Sequence, residues 1–265
     1  MRRTLLRTLA ALLLLGAGAA LAPARAQVLE APPRSLTWAQ VASTPHMHFA
    51  AIPHGQGRIV LAWGGIGQGD AARFAEALRE AVPIDEVQFF SPGGLLDEGL
   101  QMGYAMRARG LAARVPRGAR CASACNFAFM GGVIRTVDPG AKFEVHMFAN
   151  GPALARQVTQ DVRNPPADIA AFNSRFPDTQ LDPAAVQRYL RQHQEPLGAF
   201  LRDQTVTEEI KLIQQYSART AAKIGQFLLR MQLSLDFLTT FADIPNDTPR
   251  ALTPAELRRF NVVNG

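Results

Sequence analysis

Cysteine is scarce in this chain: among 265 residues there are two, Cys121 and Cys125. Their C-x-x-x-C spacing is not the C-x-x-C of thiol oxidoreductases, and no nearby Cys/His set could hold zinc. Neither a metal nor another cofactor is expected. Internal repeats are missing, and so are low-complexity blocks beyond the first residues. The apolar run from Leu9 to Leu21 is too short for an ordinary membrane-spanning helix. A strong excess of one charge sign is also missing once the N-terminus is set aside. The formal charge of +6 includes four arginines in the first 26 residues, which carry no acid. Without them, 24 basic side chains face 22 acidic ones, a formal +2 that does not argue for nucleic-acid or membrane partners.

The N-terminus reads as a secretory leader. Arg2, Arg3 and Arg7 form a basic region, an apolar core follows, and Ala24-Arg25-Ala26 is a small-x-small cleavage site. Residues 1–26 are therefore expected to be a signal peptide cut after Ala26, with the mature chain periplasmic or secreted. In an oxidising compartment Cys121 and Cys125 could pair. On a regular helix that spacing puts their Cα atoms about 6 Å apart, within disulfide range. The alternative is two small buried residues.

The mature chain suits one domain carrying an insertion. Residues 27–57 are Pro-rich and expected to be irregular, with Trp38 packing the segment down. From 58 to 149 a βαβαβα rhythm predicts an α/β core. Strands are expected over 58–63, 87–90, 111–115, 135–137 and 143–145, and helices over 71–81, 95–109 and 122–130. Asp70 is the expected N-cap of the first of these helices. Residues 150–206 break the rhythm with several prolines and read as a partly helical insertion. Residues 207–265 supply C-terminal helices that complete the core. The amphipathic stretch 207–241 is expected to break into two helices through Gly225 and the 231–234 region. Thr253 and Glu256 form a capping-box pattern at the start of a last helix.

Three segments carry the chemistry. Ser91-Pro92-Gly93-Gly94 is a Gly-rich turn after a strand, where backbone N–H groups can approach a substrate without a Cβ clash. Ser123, between Cys121 and Cys125, opens a helix, so the neighbouring Ala124 amide and the helix dipole favour negative charge there. His146 ends a strand among apolar neighbours that favour a neutral imidazole. Taken singly, Ser123 reads as an N-cap, His146 as a buried histidine and the Gly-rich segment as a turn. Together they have the parts of a serine hydrolase: a nucleophile, a base and oxyanion donors.

Those segments, with Gly140-Ala141-Lys142-Phe143-Glu144-Val145-His146 and Leu252-Thr253-Pro254-Ala255-Glu256-Leu257, resemble the Clp protease/crotonase superfamily. The likeness is strongest to its exported Clp-fold serine proteinase-like members. It spans 58–148 and 207–263, and the insertion has no counterpart. It implies a mostly parallel sheet with outer helices, Ser123 as nucleophile and His146 as base. Gly94, alone or with Gly93, and Ala124 would be the oxyanion donors. The family places an aspartate shortly before its terminal segment, which corresponds here to Asp247 or else Asp243, with Asp247 preferred. A Ser–His dyad without an acid is a further option. Phe90 departs from the polar residue usual before Ser-Pro-Gly-Gly. Relatives with a Ser–Lys dyad draw attention to Lys142, but His146 occupies the matching strand end.

The resulting expectation is an exported, ATP-independent serine peptidase or related hydrolase. It would act on peptides or proteins, form a homo-oligomer and need no ATPase partner. A non-catalytic binding protein on the same fold is the alternative, followed by a crotonase-type acyl-CoA enzyme.

Overall fold

The structure, a computed structural model, describes residues 27–148, 152–245 and 247–265. The expected leader lies outside the described residues. Among the described residues no helix is long and apolar enough to cross a membrane.

The segment expected to be irregular is ordered. It forms β1 (Leu29–Glu30), α1 (Trp38–Ser43) and β2 (His48–His54). Helix α1 has a full capping box, in which Thr37 and Gln40 exchange side-chain and backbone bonds. β2 turns back through Gly55, at φ 56°, to pair antiparallel with β3 (Gly57–Trp63). After β3 come α2 (Asp70–Glu80), β4 (Ile84–Phe90), α3 (Leu96–Ala108), β5 (Ala112–Val115), β6 (Arg120–Ala122) and α4 (Ala124–Met130). β7 (Arg135–Val137) and β8 (Lys142–Val145) complete the expected core.

The main sheet has the order β1-β2-β3-β4-β5-β7, and β2/β3 is its antiparallel pair. The fold is thus mixed α/β with a mostly parallel sheet. A second sheet, β6-β8-β9, with β9 formed by Arg250–Ala251, leans on the end of β4. There Ser91 donates its N–H to the Arg120 carbonyl at 2.8 Å and accepts from the Ala122 N–H at 3.0 Å. β6, which the sequence reading did not separate, is what carries the chain from the main sheet to Ser123.

The core lies between the main sheet and its helices. Phe49, Phe74 and Phe89 are fully buried and meet ring to ring across β2, α2 and β4. Each such side chain contributes about 1.5–3 kcal/mol through burial. Asp70 is the first residue of α2 rather than its cap. Fully buried, it accepts the N–H groups of Met47 and Gly67 and pairs with Arg73. The start of α2 is held instead by Glu98 of α3, whose carboxylate accepts the Gly69 and Ala71 N–H groups at 3.0 and 2.7 Å. A carboxylate suits the positive end of a helix dipole. α3 in turn packs closely on α4, since a Cβ at Gly103 would meet the Phe127 backbone and the Phe227 ring.

The segment expected to be an insertion holds α5 (Pro152–Arg163), α6 (Ile169–Arg175) and α7 (Pro183–His193). Its expected end at 206 falls inside α8 (Leu197–Arg230), one helix of 34 residues and about 51 Å. The expected break at Gly225 does not occur, whereas the chain does turn after Arg230. Phe172, Phe176 and Leu201 form a small apolar cluster that seats α6 on the first half of α8. Further along, Phe227 packs edge-on against Tyr104 and Phe127, so the second half of α8 lies on the main core. α9 (Asp236–Ala242), β9 (Arg250–Ala251) and α10 (Pro254–Arg259) follow, with the expected Thr253/Glu256 capping box in place. Arg135, 1% exposed, locks this end down through the carbonyls of Gly132, Asn261 and Val262. Burial lowers its pKa to about 10.

Candidate functional site

Ser123 stands between β6 and α4 with φ 56° and ψ −125°. A non-glycine residue held there costs about 1–3 kcal/mol, and such strain collects at functional positions. A serine before a helix ordinarily bonds the first helical N–H groups. The Ser123 side chain makes no such capping bond. Ser123 thus occupies the expected N-cap position of α4, but its hydroxyl is not engaged in holding the helix.

Three neighbours create that conformation. The Ser123 N–H donates to the Glu144 carbonyl of β8 at 3.2 Å. Cys121 and Cys125 are joined in a disulfide, with Cα atoms 5.3 Å apart, one on β6 and the other on α4. The bridge thus spans the serine turn instead of lying along one helix, and both cysteines are fully buried. The third neighbour is the Ser91-Pro92-Gly93-Gly94 turn. Gly93, at φ 87°, packs so tightly that a Cβ there would sit 2.7 Å from that of Ser123 and 2.8 Å from the Ala124 nitrogen. Within the turn the Ser91 hydroxyl accepts the Gly93 N–H at 3.0 Å.

Gly93 and Gly94 differ in what their amides do. That of Gly93 is engaged by Ser91, whereas the N–H groups of Gly94 and Ala124 meet no acceptor among the described residues. Both residues line a cleft of about 310 Å³ together with Ser123 and His146. Its walls are otherwise largely apolar, built from Leu95, Phe127, Val145, Phe148, Ile224, Phe237 and Phe241. Among the described residues that line it, none is an aspartate, glutamate, lysine or arginine.

His146 directly follows β8. Its Nδ1 lies 2.8 Å from the Met147 carbonyl. A carbonyl only accepts, so Nδ1 is the donor of this contact, and in the neutral imidazole Nε2 is the nitrogen left with the lone pair. No hydrogen bond joins Ser123 and His146 among the described residues, though both face the same cleft. Such contacts commonly tighten only around substrate. Lys142 is exposed, pairs with Arg120 across β6 and β8, and is not among the cleft residues.

The segment carrying the two aspartates meets the neighbour of His146, but neither aspartate bonds to the imidazole among the described residues. Met147 donates its N–H to the Ile244 carbonyl at 2.7 Å, tying the segment after α9 to the neighbour of His146. Asp243 ends α9, and Asp247 is exposed with the Thr248 hydroxyl 3.5 Å away. Neither belongs to the cleft lining.

Sequence reasoning missed the contributions of α8 and α9 to the cleft, since they arrive from some 70 to 120 residues beyond Ser123. It also missed Asn126. A carboxamide inside the otherwise apolar α4 was the available signal. Asn126 is 3% exposed and donates its side-chain N–H to the Glu144 carbonyl at 2.8 Å.

No protein-family model matches this chain, and no curated protein does. Among solved structures, a mutant of the membrane-bound stomatin-specific protease 1510-N is similar over 78% of this chain and 75% of that chain. The identity is 14% and the TM-score 0.38, a likeness too slight to transfer activity or site.

Proposed function

We propose that this protein is an exported, ATP-independent serine peptidase or related hydrolase on a Clp protease/crotonase-like fold. The observation that carries the reading is Ser123. It is strained, free of capping duty, and shares a cleft with an imidazole and two unbonded amides. Ser123 Oγ attacks an acyl carbonyl while His146 Nε2 takes the hydroxyl proton. The Gly94 and Ala124 amides hold the oxyanion of the tetrahedral intermediate. His146 then gives the proton to the leaving group, and water releases the acyl-enzyme by the reverse sequence. The Met147 carbonyl orients the imidazole, with Asp247, or else Asp243, as the acid recruited on substrate binding. The uncharged, apolar cleft favours an apolar acyl segment, as in a peptide with a leucine or phenylalanine at the cut. The mature chain works in the periplasm or outside the cell, as a homo-oligomer and without nucleic-acid or ATPase partners.

A peptide library cleaved by the purified mature chain and mapped by mass spectrometry tests this. Cuts after apolar residues, absent with Ser123→Ala, are expected; identical products from both proteins would refute it. The lack of a carboxylate bonded to His146 favours a second reading, a peptide-binding protein that retains the fold without turnover.

A further inference from the structure

Asn126 is a buried polar group of the cleft that takes no part in the steps above. Its side chain closes a ring of hydrogen bonds around the serine turn. The Asn126 Nδ2 donates to the Glu144 carbonyl at 2.8 Å, and the Ser123 N–H donates to that same carbonyl at 3.2 Å. The Asn126 backbone N–H donates to the Ser123 carbonyl at 2.9 Å. Both peptide groups of the strained serine are thus tied, directly or through Asn126, to one atom of β8. Two residues beyond that atom stands His146.

The carboxamide orientation is decided by its partner, because the Glu144 carbonyl can only accept. Its other end has no such match: Oδ1 is buried without a hydrogen-bond partner among the described residues. An apolar side chain of similar shape would leave no orphan, so the residue is a poor choice for packing alone. What the carboxamide supplies is its N–H to Glu144. Relying on the Ser–His reading, we propose that Asn126 is a positioning residue. Through the Glu144 carbonyl it holds Ser123 in its positive-φ conformation and sets the separation between nucleophile and base.

The test compares labelling by an alkyl fluorophosphonate in wild type, Asn126→Ala and Asn126→Asp. Maximal rate and half-saturating concentration are measured against pH, and thermal unfolding checks that each variant is folded. At about pH 8 both variants lose about 10- to 100-fold in maximal rate with half-saturation within about twofold, the pattern of a misplaced reacting group. As pH falls towards about 5, the substituted carboxyl protonates and its O–H can again donate to Glu144. The Asn126→Asp rate relative to wild type then climbs, while that of Asn126→Ala stays flat. Wild-type rates in both variants would overturn the proposal. So would a weaker half-saturation with an unchanged maximal rate, or an Asn126→Asp ratio that ignores pH. Should Asn126→Ala not fold, the pH course of Asn126→Asp still decides. A wild type that takes no label defeats the Ser–His reading first and this inference with it; a labelled wild type with indifferent variants defeats only the role of Asn126.

Discussion

Gly93→Ala probes the contact between the Gly-rich turn and the nucleophile. Two costs are expected to add. Gly93 has φ 87°, where an L side chain costs about 1–2 kcal/mol. The new Cβ would also lie 2.7 Å from the Ser123 Cβ and 2.8 Å from the Ala124 nitrogen, backbone that cannot swing away. Overpacking of that kind costs about 1–3 kcal/mol. Gly118→Ala isolates the first cost, since Gly118 has φ 80° with nothing within 4 Å of its Cβ position. Urea unfolding followed by circular dichroism should therefore show a loss of about 1–2 kcal/mol for Gly118→Ala and about 2–5 kcal/mol for Gly93→Ala. Fluorophosphonate labelling of the folded proteins should fall about 10- to 100-fold for Gly93→Ala alone, because the shift displaces Ser123 and the Ala124 amide. Equal stability and equal labelling of the two variants would refute the claim that this turn abuts the nucleophile.

Removing the disulfide with Cys121→Ala and Cys125→Ala together frees a short loop, the two cysteines being four residues apart. Loop entropy alone predicts a loss of about 2 kcal/mol, seen as a lower unfolding midpoint and slower labelling of Ser123. Arg135→Met leaves the Gly132, Asn261 and Val262 carbonyls without their buried donor and should cost about 3 kcal/mol or more in urea unfolding. Glu209, 1% exposed on α8, has its pKa raised to about 7 by burial, then by the neighbouring Asp161 carboxyl, against the opposing pull of Arg175. The folded state then binds more protons than the unfolded one between its ordinary value and about 7, so stability should fall as pH rises through that window. Glu209→Gln should flatten this slope in pH-dependent thermal unfolding; an unchanged slope would assign it to other groups.

The order of alternating strands and helices from β3 to β8 was legible because buried parallel strands read as short apolar runs and their helices carry a 3.6-residue pattern. β2 was not, since Pro53, with Pro32-Pro33 and Pro45 upstream, masks a strand whose pairing depends on β3. β6 has three residues and no periodicity to detect. The unbroken α8 shows the limit of local reasoning about glycine. Gly225 has open space around its Cβ position, and its helix cost of about 1 kcal/mol is outweighed by Ile224, Phe227 and Leu228 packing on the core. In the site, Ser123, His146, Gly94 and Ala124 were named from short motifs and stand around one cleft. The apolar walls from α8 and α9 and the tie through Asn126 depend on long-range packing, which no short motif encodes. The same holds for the carbonyl that orients His146: a backbone acceptor leaves no mark in side-chain identity.

Labelling the purified protein with a fluorophosphonate, followed by peptide mapping, tests the central claim most directly. The account predicts one modified residue, Ser123, with no label on Ser123→Ala and a strongly reduced rate for His146→Ala. A well-folded wild type that stays unlabelled, or a label that persists in Ser123→Ala, would contradict it.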